Sequence, residues 1–217
     1  MKKPNVLLEN DVRDELVSDP ALDQSRITLQ AHDGAVTLTG TVDTYAELLR
    51  AAADTKKVKG VTSVDNDILV GPIGRAMADA DLAAQSTTAL DADRFVPHGA
   101  VSVTVVDGYA TLHGRVRNHF ERVAAEHAVG QVFGILGVSN EITMSRDPIP
   151  SDIADRINKA LGRKAILSNS VINVSNDGHI IYLDGTTDSF AAAQEAENTV
   201  WEAPGVTDLV DRLVIIP

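Results

Sequence analysis

The sequence predicts an α+β protein of three tandem small domains, each with a three-stranded sheet covered by two helices on one face. The main observation is a repeated phrase: DGAVTLTGTVDTYAE from Asp33, DGYATLHGRVRNHFE from Asp107 and DGHIIYLDGTTDSFAA from Asp177. Each copy alternates apolar and polar residues, as half-buried strands do. A helical pattern also precedes and follows each copy, so every unit has the order helix–strand–strand–helix–strand. We expect domains at residues 1–71, 72–147 and 148–217.

The first helix of each unit is predicted from apolar residues that recur at helical spacing. The middle helix, around Asp79 to Leu90, has the weakest pattern, and Ser151 is the expected N-cap of the third. The apolar residues are Leu8, Val12 and Leu16, then Leu82, Ala83, Ala89 and Leu90, then Ile153, Ile157, Ala160 and Leu161.

The hairpin of each unit ends at a closing glycine, which is Gly40, Gly114 or Gly185. Apolar residues stand two and four positions before each of them, which puts one face of the hairpin inward. Asp-Gly between the strands favours a tight turn with positive φ. In the third unit, Asp177-Gly178 stands one position early, so we expect a different turn with the same register.

The second helix of each unit begins after an N-cap residue: Thr44, Asn118 and Ser189. Glu47 and Glu121 complete capping boxes in the first two units. The predicted inward faces are Tyr45, Leu48, Leu49 and Ala52, then Phe120, Val123, Ala124 and Val132, then Phe190, Ala193, Val200 and Trp201.

A glycine–valine pair is expected to end each second helix and lead into the third strand. The pairs are Gly60-Val61, Gly137-Val138 and Gly205-Val206, which predicts a longer helix or helix exit in the middle unit. The linkers are expected at 71–74 and 147–150, where proline interrupts helices. Both are short, so the units should lie close together.

These motifs resemble the BON domain of bacterial envelope and stress proteins. The first unit carries the resemblance through Asp33–Val42 and through Gly60, Val61, Asn66 and Ile68. The third departs from it, with Thr187 and Asp211 at positions of valine and asparagine. The resemblance implies a non-enzymatic module without a cofactor that binds phospholipid, a membrane surface or other envelope components under osmotic or envelope stress. The alternative is a scaffold for protein–protein contacts or homo-oligomers, without lipid binding.

Composition restricts the partners and the chemistry. A formal net charge of −12 argues against a nucleic-acid binder, which needs lysine and arginine to neutralise phosphates. The absence of cysteine excludes disulfides and thiol catalysis. The first residues lack the apolar run of a secretion signal. We therefore expect a cytoplasmic protein, or a periplasmic one only if a leader is missing from this sequence.

We predict no catalytic, cofactor or metal site. The histidines are interpreted as surface residues, without the spacing of a zinc site, and Trp201 as part of the third core. Local cationic clusters are the candidate contacts for an anionic ligand, with an ordinary solvated helix face as the alternative. They comprise Lys56, Lys57, Lys59, Arg115, Arg117, Arg156, Lys159, Arg163 and Lys164.

Overall fold

A computed structural model describes residues 3–71, 77–145 and 149–216, which form three units of the expected α+β type. The first contains α1 (Asn5–Ser18), β1 (Ile27–His32), β2 (Ala35–Val42), α2 (Tyr45–Lys57) and β3 (Ser63–Val70). The second contains α3 (Asp79–Ala92), β4 (Val101–Val106), β5 (Tyr109–Val116), α4 (His119–Gly130) and β6 (Gly137–Met144). The third contains α5 (Ile153–Leu161), β7 (Val171–Asp177), β8 (Ile180–Thr187), α6 (Phe190–Trp201) and β9 (Asp208–Ile215).

Each sheet has the same topology and register. The hairpin strands pair antiparallel, and the third strand joins the second in parallel after a helical crossover. Leu38, Leu112 and Leu183 lie opposite the equivalent residues of the first strand in all three units, and all three are fully buried. The predicted hairpin register is therefore confirmed.

The closing glycines have a steric cause. A Cβ on Gly40, Gly114 or Gly185 would lie only about 2 Å from a backbone carbonyl oxygen near the start of the unit's first strand. Each also has a strongly positive φ, a conformation that residues with a side chain rarely adopt. The glycine recurs because the neighbouring strand leaves no room for a side chain.

The hairpin turns differ as predicted. Asp33-Gly34 and Asp107-Gly108 have positive φ at both residues, as in a type I′ turn. In the third unit the two loop residues are Gly178 and His179, and Asp177 belongs to β7. The His179 ring nitrogen Nδ1 lies 2.8 Å from the carbonyl oxygen of Gly205, which ties this turn to the exit of α6.

Two predictions at helix ends are wrong. The middle counterpart of Gly60 and Gly205 is Gly134, which has φ +95 and the same distance from its closing glycine, so the exit of α4 is not longer. Asp152, not Ser151, is the N-cap of α5, and it forms no side-chain capping bond. The caps Thr44, Asn118 and Ser189 are confirmed, each accepting a hydrogen bond from the backbone N–H three residues on.

The predicted inward face of the second helices is only partly confirmed: Leu48, Ala124 and Val132 pack in the cores of their units, whereas Phe190 packs against the core of the first unit. Leu49, Phe120 and Val123 are exposed, whereas alanines at equivalent positions, Ala51, Ala125 and Ala196, have no exposed surface. Small side chains face the sheet because they let the helix lie close to it. Leu49 and Val123 face the space between the first two units, whereas Phe120 packs edge to face on Phe95 of its own unit, with the ring centroids 4.9 Å apart.

The predicted linkers lie largely outside the described residues. This applies to 72–74 in the first and to 147 and 148 in the second. Gly71 still belongs to the first unit, because its N–H donates to the carbonyl of Val42. The exact domain boundaries stay a prediction.

Candidate functional site

In each of the three units, the start of the second helix (α2, α4 or α6) lies against the end of the second helix of another unit. We call Tyr45, His119 and Phe190 the entry residues, since each is the first residue of its helix. We call Lys56, Gly130 and Trp201 the exit residues, which stand eleven positions later in each unit. Each entry residue contacts the exit residue of another unit, and these contacts form three junctions between the domains.

At the junction of α2 and α4, the entry residue Tyr45 lies against Gly130. A Cβ on Gly130 would be 3.4 Å from Cδ1 of Tyr45 and 3.8 Å from Cβ of Ala46. Burial raises the pKa of the Tyr45 hydroxyl, and the Glu126 carboxylate adds to this. The small exit residue lets the two helices approach closely at this end.

At the junction of α4 and α6, the His119 imidazole stacks on the Trp201 indole. The ring centroids are 3.9 Å apart and the planes differ by 6°. The Arg122 guanidinium lies 5.5 Å from the indole centroid. Burial, helped by Arg122, lowers the pKa of His119 to about 4. The interpretation of His119 as a surface histidine is therefore wrong, and Trp201 packs against both the second and the third core.

At the junction of α6 and α2, the entry residue Phe190 lies under the exit residue Lys56. The Lys56 ammonium is 5.5 Å from the ring centroid, a cation–π contact. Phe190 also packs against the core of the first unit. One of the predicted anionic-ligand contacts thus belongs to a contact between domains.

The three junctions together close a ring. The entry residue of the first unit contacts the second, that of the second contacts the third, and that of the third contacts the first. A head-to-tail contact that returns to its starting unit is the pattern of a cyclic trimer. Here one chain supplies all three members, which makes the tandem repeat a single assembly.

Two units place different groups beside the acid in the middle of the second helix. In the second unit, the Asn140 amide donates to the Glu126 carboxylate at 3.1 Å. In the third, the equivalent residues are Asp211 and Glu197. Burial raises the pKa of Glu197 to about 7, and the Asp211 carboxyl adds to the rise.

Four of the nine predicted cationic contacts are already paired with carboxylates. Lys57 lies 2.6 Å from Asp54, and Lys164 lies 2.6 Å from Glu195. The other pairs are Arg156 with Asp152, at 2.9 Å, and Arg117 with Glu121, at 3.4 Å. The positive charge of these four side chains is partly neutralised, so they are weaker candidate contacts for an anionic ligand than the sequence indicates.

Four predicted contacts are exposed and form no ion pair within the residues that the structure describes. They are Lys59, Arg115, Lys159 and Arg163. They are spread over the exit of α2, strand β5 and the C-terminal end of α5, so they do not form one patch. Lys159 and Arg163, four residues apart, are the nearest to a cluster.

A groove of about 450 Å³ runs between α2 and α4. Its apolar walls include Leu49 and Val123, which are 41% and 45% exposed. Asp54 also lines it, with only 3% of its surface exposed. Its carboxyl lies within hydrogen-bonding reach of the Asp19 carboxyl, and none of the described N–H or O–H donors bonds to its Oδ2 atom. Asp54 is not among the predicted site residues, because nothing in its spacing separates it from the abundant surface carboxylates.

Two kinds of feature are absent from the described ranges. No three histidine or carboxylate side chains converge as a metal site would require. None of the helices there has the length and hydropathy needed to span a bilayer.

The BON domain family model matches the chain three times, at residues 5–72, 78–146 and 151–217. The chain belongs to the BON domain family. This agrees with the three repeated sheets and confirms the family inferred from the glycine and valine motifs.

The chain is similar to a curated relative and to two solved structures. The osmotically-inducible protein Y of Escherichia coli is 29% identical over an alignment of 136 residues, and the match covers 60% of this chain and 68% of that protein. CdsD, a structural protein of the type III secretion system of Chlamydia trachomatis, is 14% identical with a TM-score of 0.24, covering 97% of this chain and 92% of that one. The structure of the CdsD C-terminal domain is 14% identical with a TM-score of 0.26, and the match covers 99% of this chain and 100% of that one. Scores this low establish no shared domain arrangement.

Proposed function

We propose that this protein is a non-enzymatic tandem BON-domain binding protein that acts in osmotic or envelope stress and recognises a phospholipid surface. Its family and its similarity to an osmotically-inducible protein support the stress role. The surface observation that supports lipid recognition is Lys159 and Arg163 at the end of α5, which are exposed and form no ion pair with any residue that the structure describes. A cation near an anionic membrane contributes about 1 kcal/mol to binding.

Vesicle flotation tests this proposal. The chain is mixed with vesicles of phosphatidylcholine alone and with vesicles that also contain phosphatidylglycerol. We expect flotation with the anionic vesicles and a decline as salt is raised, because salt screens the attraction. Absence of flotation with both compositions would contradict lipid recognition.

Two double variants locate the contact. Lys159→Gln with Arg163→Gln should weaken binding to anionic vesicles about 30-fold, the equivalent of two cations at about 1 kcal/mol each. Arg156→Gln with Lys164→Gln removes the same formal charge from the same region. Because those two cations are already paired with Asp152 and Glu195, the loss should be below about fivefold. Equal losses would show that only net charge matters.

The alternative is a protein scaffold without lipid binding. Its ring of helices and the exposed edges of its sheets would then contact other proteins or further copies of the chain. A chain that ignores both vesicle types but elutes in a stable complex would favour it. The cytoplasmic location also stays a prediction, and fractionation of cells that express the gene would separate it from a periplasmic one.

A further inference from the structure

We propose that a cavity between the second and third units binds a free α-amino acid with a small apolar side chain, its carboxylate on Arg122 and its ammonium group on Asp208. The cavity has a volume of about 160 Å³ and is lined by α4, the end of β6 and the start of β9. A protein cavity of about 150 Å³ holds a benzene-sized molecule. The space therefore suits a ligand with about six non-hydrogen atoms, such as alanine.

Arg122 is the cationic side of the cavity. Its guanidinium lies 5.5 Å from the centroid of the Trp201 indole, which holds it at the junction of the two units. The side chain is only partly buried and forms no ion pair with any residue in the described ranges. A cation–π contact does not use the N–H groups, so they remain available to bind a carboxylate through two hydrogen bonds.

Asp208 is the anionic side of the cavity. It is the first residue of β9 and is exposed, so a ligand can reach its carboxylate. The Thr207 hydroxyl donates to its Oδ2 at 2.8 Å, and no cation pairs with it in the part of the chain that the structure describes. A carboxylate accepts several hydrogen bonds, so an ammonium group can add to this contact.

The two charges together select the class of ligand. Arg122 and Asp208 line the same cavity but do not pair with each other. The hydroxyls of Thr143 and Thr207 already donate, to the Gly114 carbonyl at 3.1 Å and to Asp208, so neither offers a free donor. Asp208 would repel a simple anion and Arg122 a simple cation. An amino acid carries both charges at neutral pH and satisfies both side chains.

Ile142 and Met144 form the apolar wall of the cavity. They belong to the core of the second unit and are only 4% and 7% exposed. Apolar walls with a few polar groups are the usual composition of small-molecule sites. The wall is fixed by the core and the cavity is small, so a methyl side chain fits and a large ring does not.

The other two units lack both charges at the equivalent positions. Counterparts of Arg122 are Leu48 and Ala193, and those of Asp208 are Ser63 and Gly137. All three units nevertheless form the same sheet with the same order of elements. The fold therefore does not require these charges, and they distinguish the junction of the second and third units.

Titration of the full isotope-labelled chain with L-alanine, followed by NMR, tests the proposal. We expect saturable shift changes confined to the amides near Arg122, at the end of β6 and around Asp208. Propionate lacks the amino group of alanine and ethylammonium lacks its carboxylate, so each should bind at least tenfold more weakly. Propionate that binds as tightly as alanine would overturn the role of Asp208, and ethylammonium that does so would overturn that of Arg122. Absence of a saturable change with alanine would remove the site.

Two variants separate the two charges. Arg122→Gln and Asp208→Asn should each weaken alanine binding at least tenfold. Arg13→Gln and Asp65→Asn remove the same charges from exposed positions of the first unit and should leave the affinity unchanged. Asp208 is exposed, so its variant decides the case if Arg122→Gln does not fold. A folded Arg122→Gln or Asp208→Asn variant with unchanged affinity would contradict the proposal. Because no vesicle is present, failure here leaves the membrane proposal standing.

Discussion

The α2–α4 and α4–α6 junctions occupy equivalent positions of the repeat but have opposite characters. At the first, the exit residue is Gly130, and an open groove lies beside it. At the second, the exit residue is Trp201, whose indole covers the His119 ring. The repeat thus specifies where two units meet, and the size of the exit side chain decides whether the junction is filled or leaves a groove.

The largest expected effect comes from emptying the filled junction. Trp201→Ala should lower the free energy of unfolding by about 3 kcal/mol, because it removes the stack and leaves a cavity between two cores. Urea unfolding followed by circular dichroism measures this. As a control, Phe95→Ala removes an aromatic ring that is 42% exposed and should cost less than about 1 kcal/mol. Equal costs would contradict a structural role for the Trp201 stack.

Filling the open junction should have the next largest effect. Gly130→Trp places an indole where even a Cβ contacts Tyr45, so we expect a destabilisation of about 2 kcal/mol. Gln131→Trp, at the neighbouring exposed position, should change the free energy of unfolding little. Unchanged stability of Gly130→Trp would mean that α2 and α4 are not held together at this point.

Glu197 lies beside Asp211, whereas the equivalent Glu126 lies beside Asn140, so one substitution in each unit can exchange the two arrangements. The folded state holds a proton on Glu197 up to about pH 7, whereas the unfolded chain releases it near pH 4.5. Stability from this group is therefore greatest below pH 4.5 and is lost as the pH rises to about 7. Asp211→Asn should recover about 1 kcal/mol at pH 8 and nothing at pH 4. Urea unfolding at both pH values tests it.

The reverse exchange serves as the control. Asn140→Asp places a carboxyl beside Glu126 and should introduce the same loss of stability above neutral pH. If Asp211→Asn stabilises the protein equally at pH 4 and pH 8, the two acids do not interact as described.

The smallest expected effect concerns His119. Its folded pKa of about 4 lies below the ordinary value of 6.5, so the unfolded state binds a proton that the folded state excludes. Stability is therefore lost as the pH falls from 6.5 toward 4. His119→Phe installs the ring found at Phe190 and should leave the free energy of unfolding at pH 7 nearly unchanged. At pH 5 the variant should raise it by about 1 kcal/mol, half of what the full pKa difference gives, because the imidazole is only half-buried and solvent screens it. His113 is exposed and serves as the control. If His113→Phe raised the free energy of unfolding at pH 5 by the same amount, burial of the His119 ring would not be the cause.

Much of the fold can be read from the sequence because its causes are local. The closing glycines and the alternating residues before them identify the hairpins, and Thr44, Asn118 and Ser189 mark the helix starts. The orientation of the second helices could not be read in the same way. Leu49 and Val123 look like core residues in a single unit, and only the neighbouring unit explains why they face outward.

The candidate site residues were harder to predict from the sequence, because their contacts also depend on neighbouring elements. Arg156 and Asp152 are four residues apart on one helix, so their pairing is visible in the sequence. Lys164 and Glu195 meet only through the packing of α5 against α6. Asp54 becomes notable only when its burial and its contact with Asp19 are known. Contacts between residues far apart in the sequence decide which charged side chains remain free to bind a ligand. Local sequence patterns do not reveal those contacts.

The closed ring of second helices is tested most directly by distances between equivalent positions of the three units. Asp67, Glu141 and Arg212 are exposed, equivalent residues of the third strands, and the chain has no cysteine. Replacing them by cysteine in pairs allows spin labels to be placed and measured by double electron–electron resonance. A ring gives three narrow distributions with similar mean distances. Broad distributions, or one pair far longer than the other two, would contradict it.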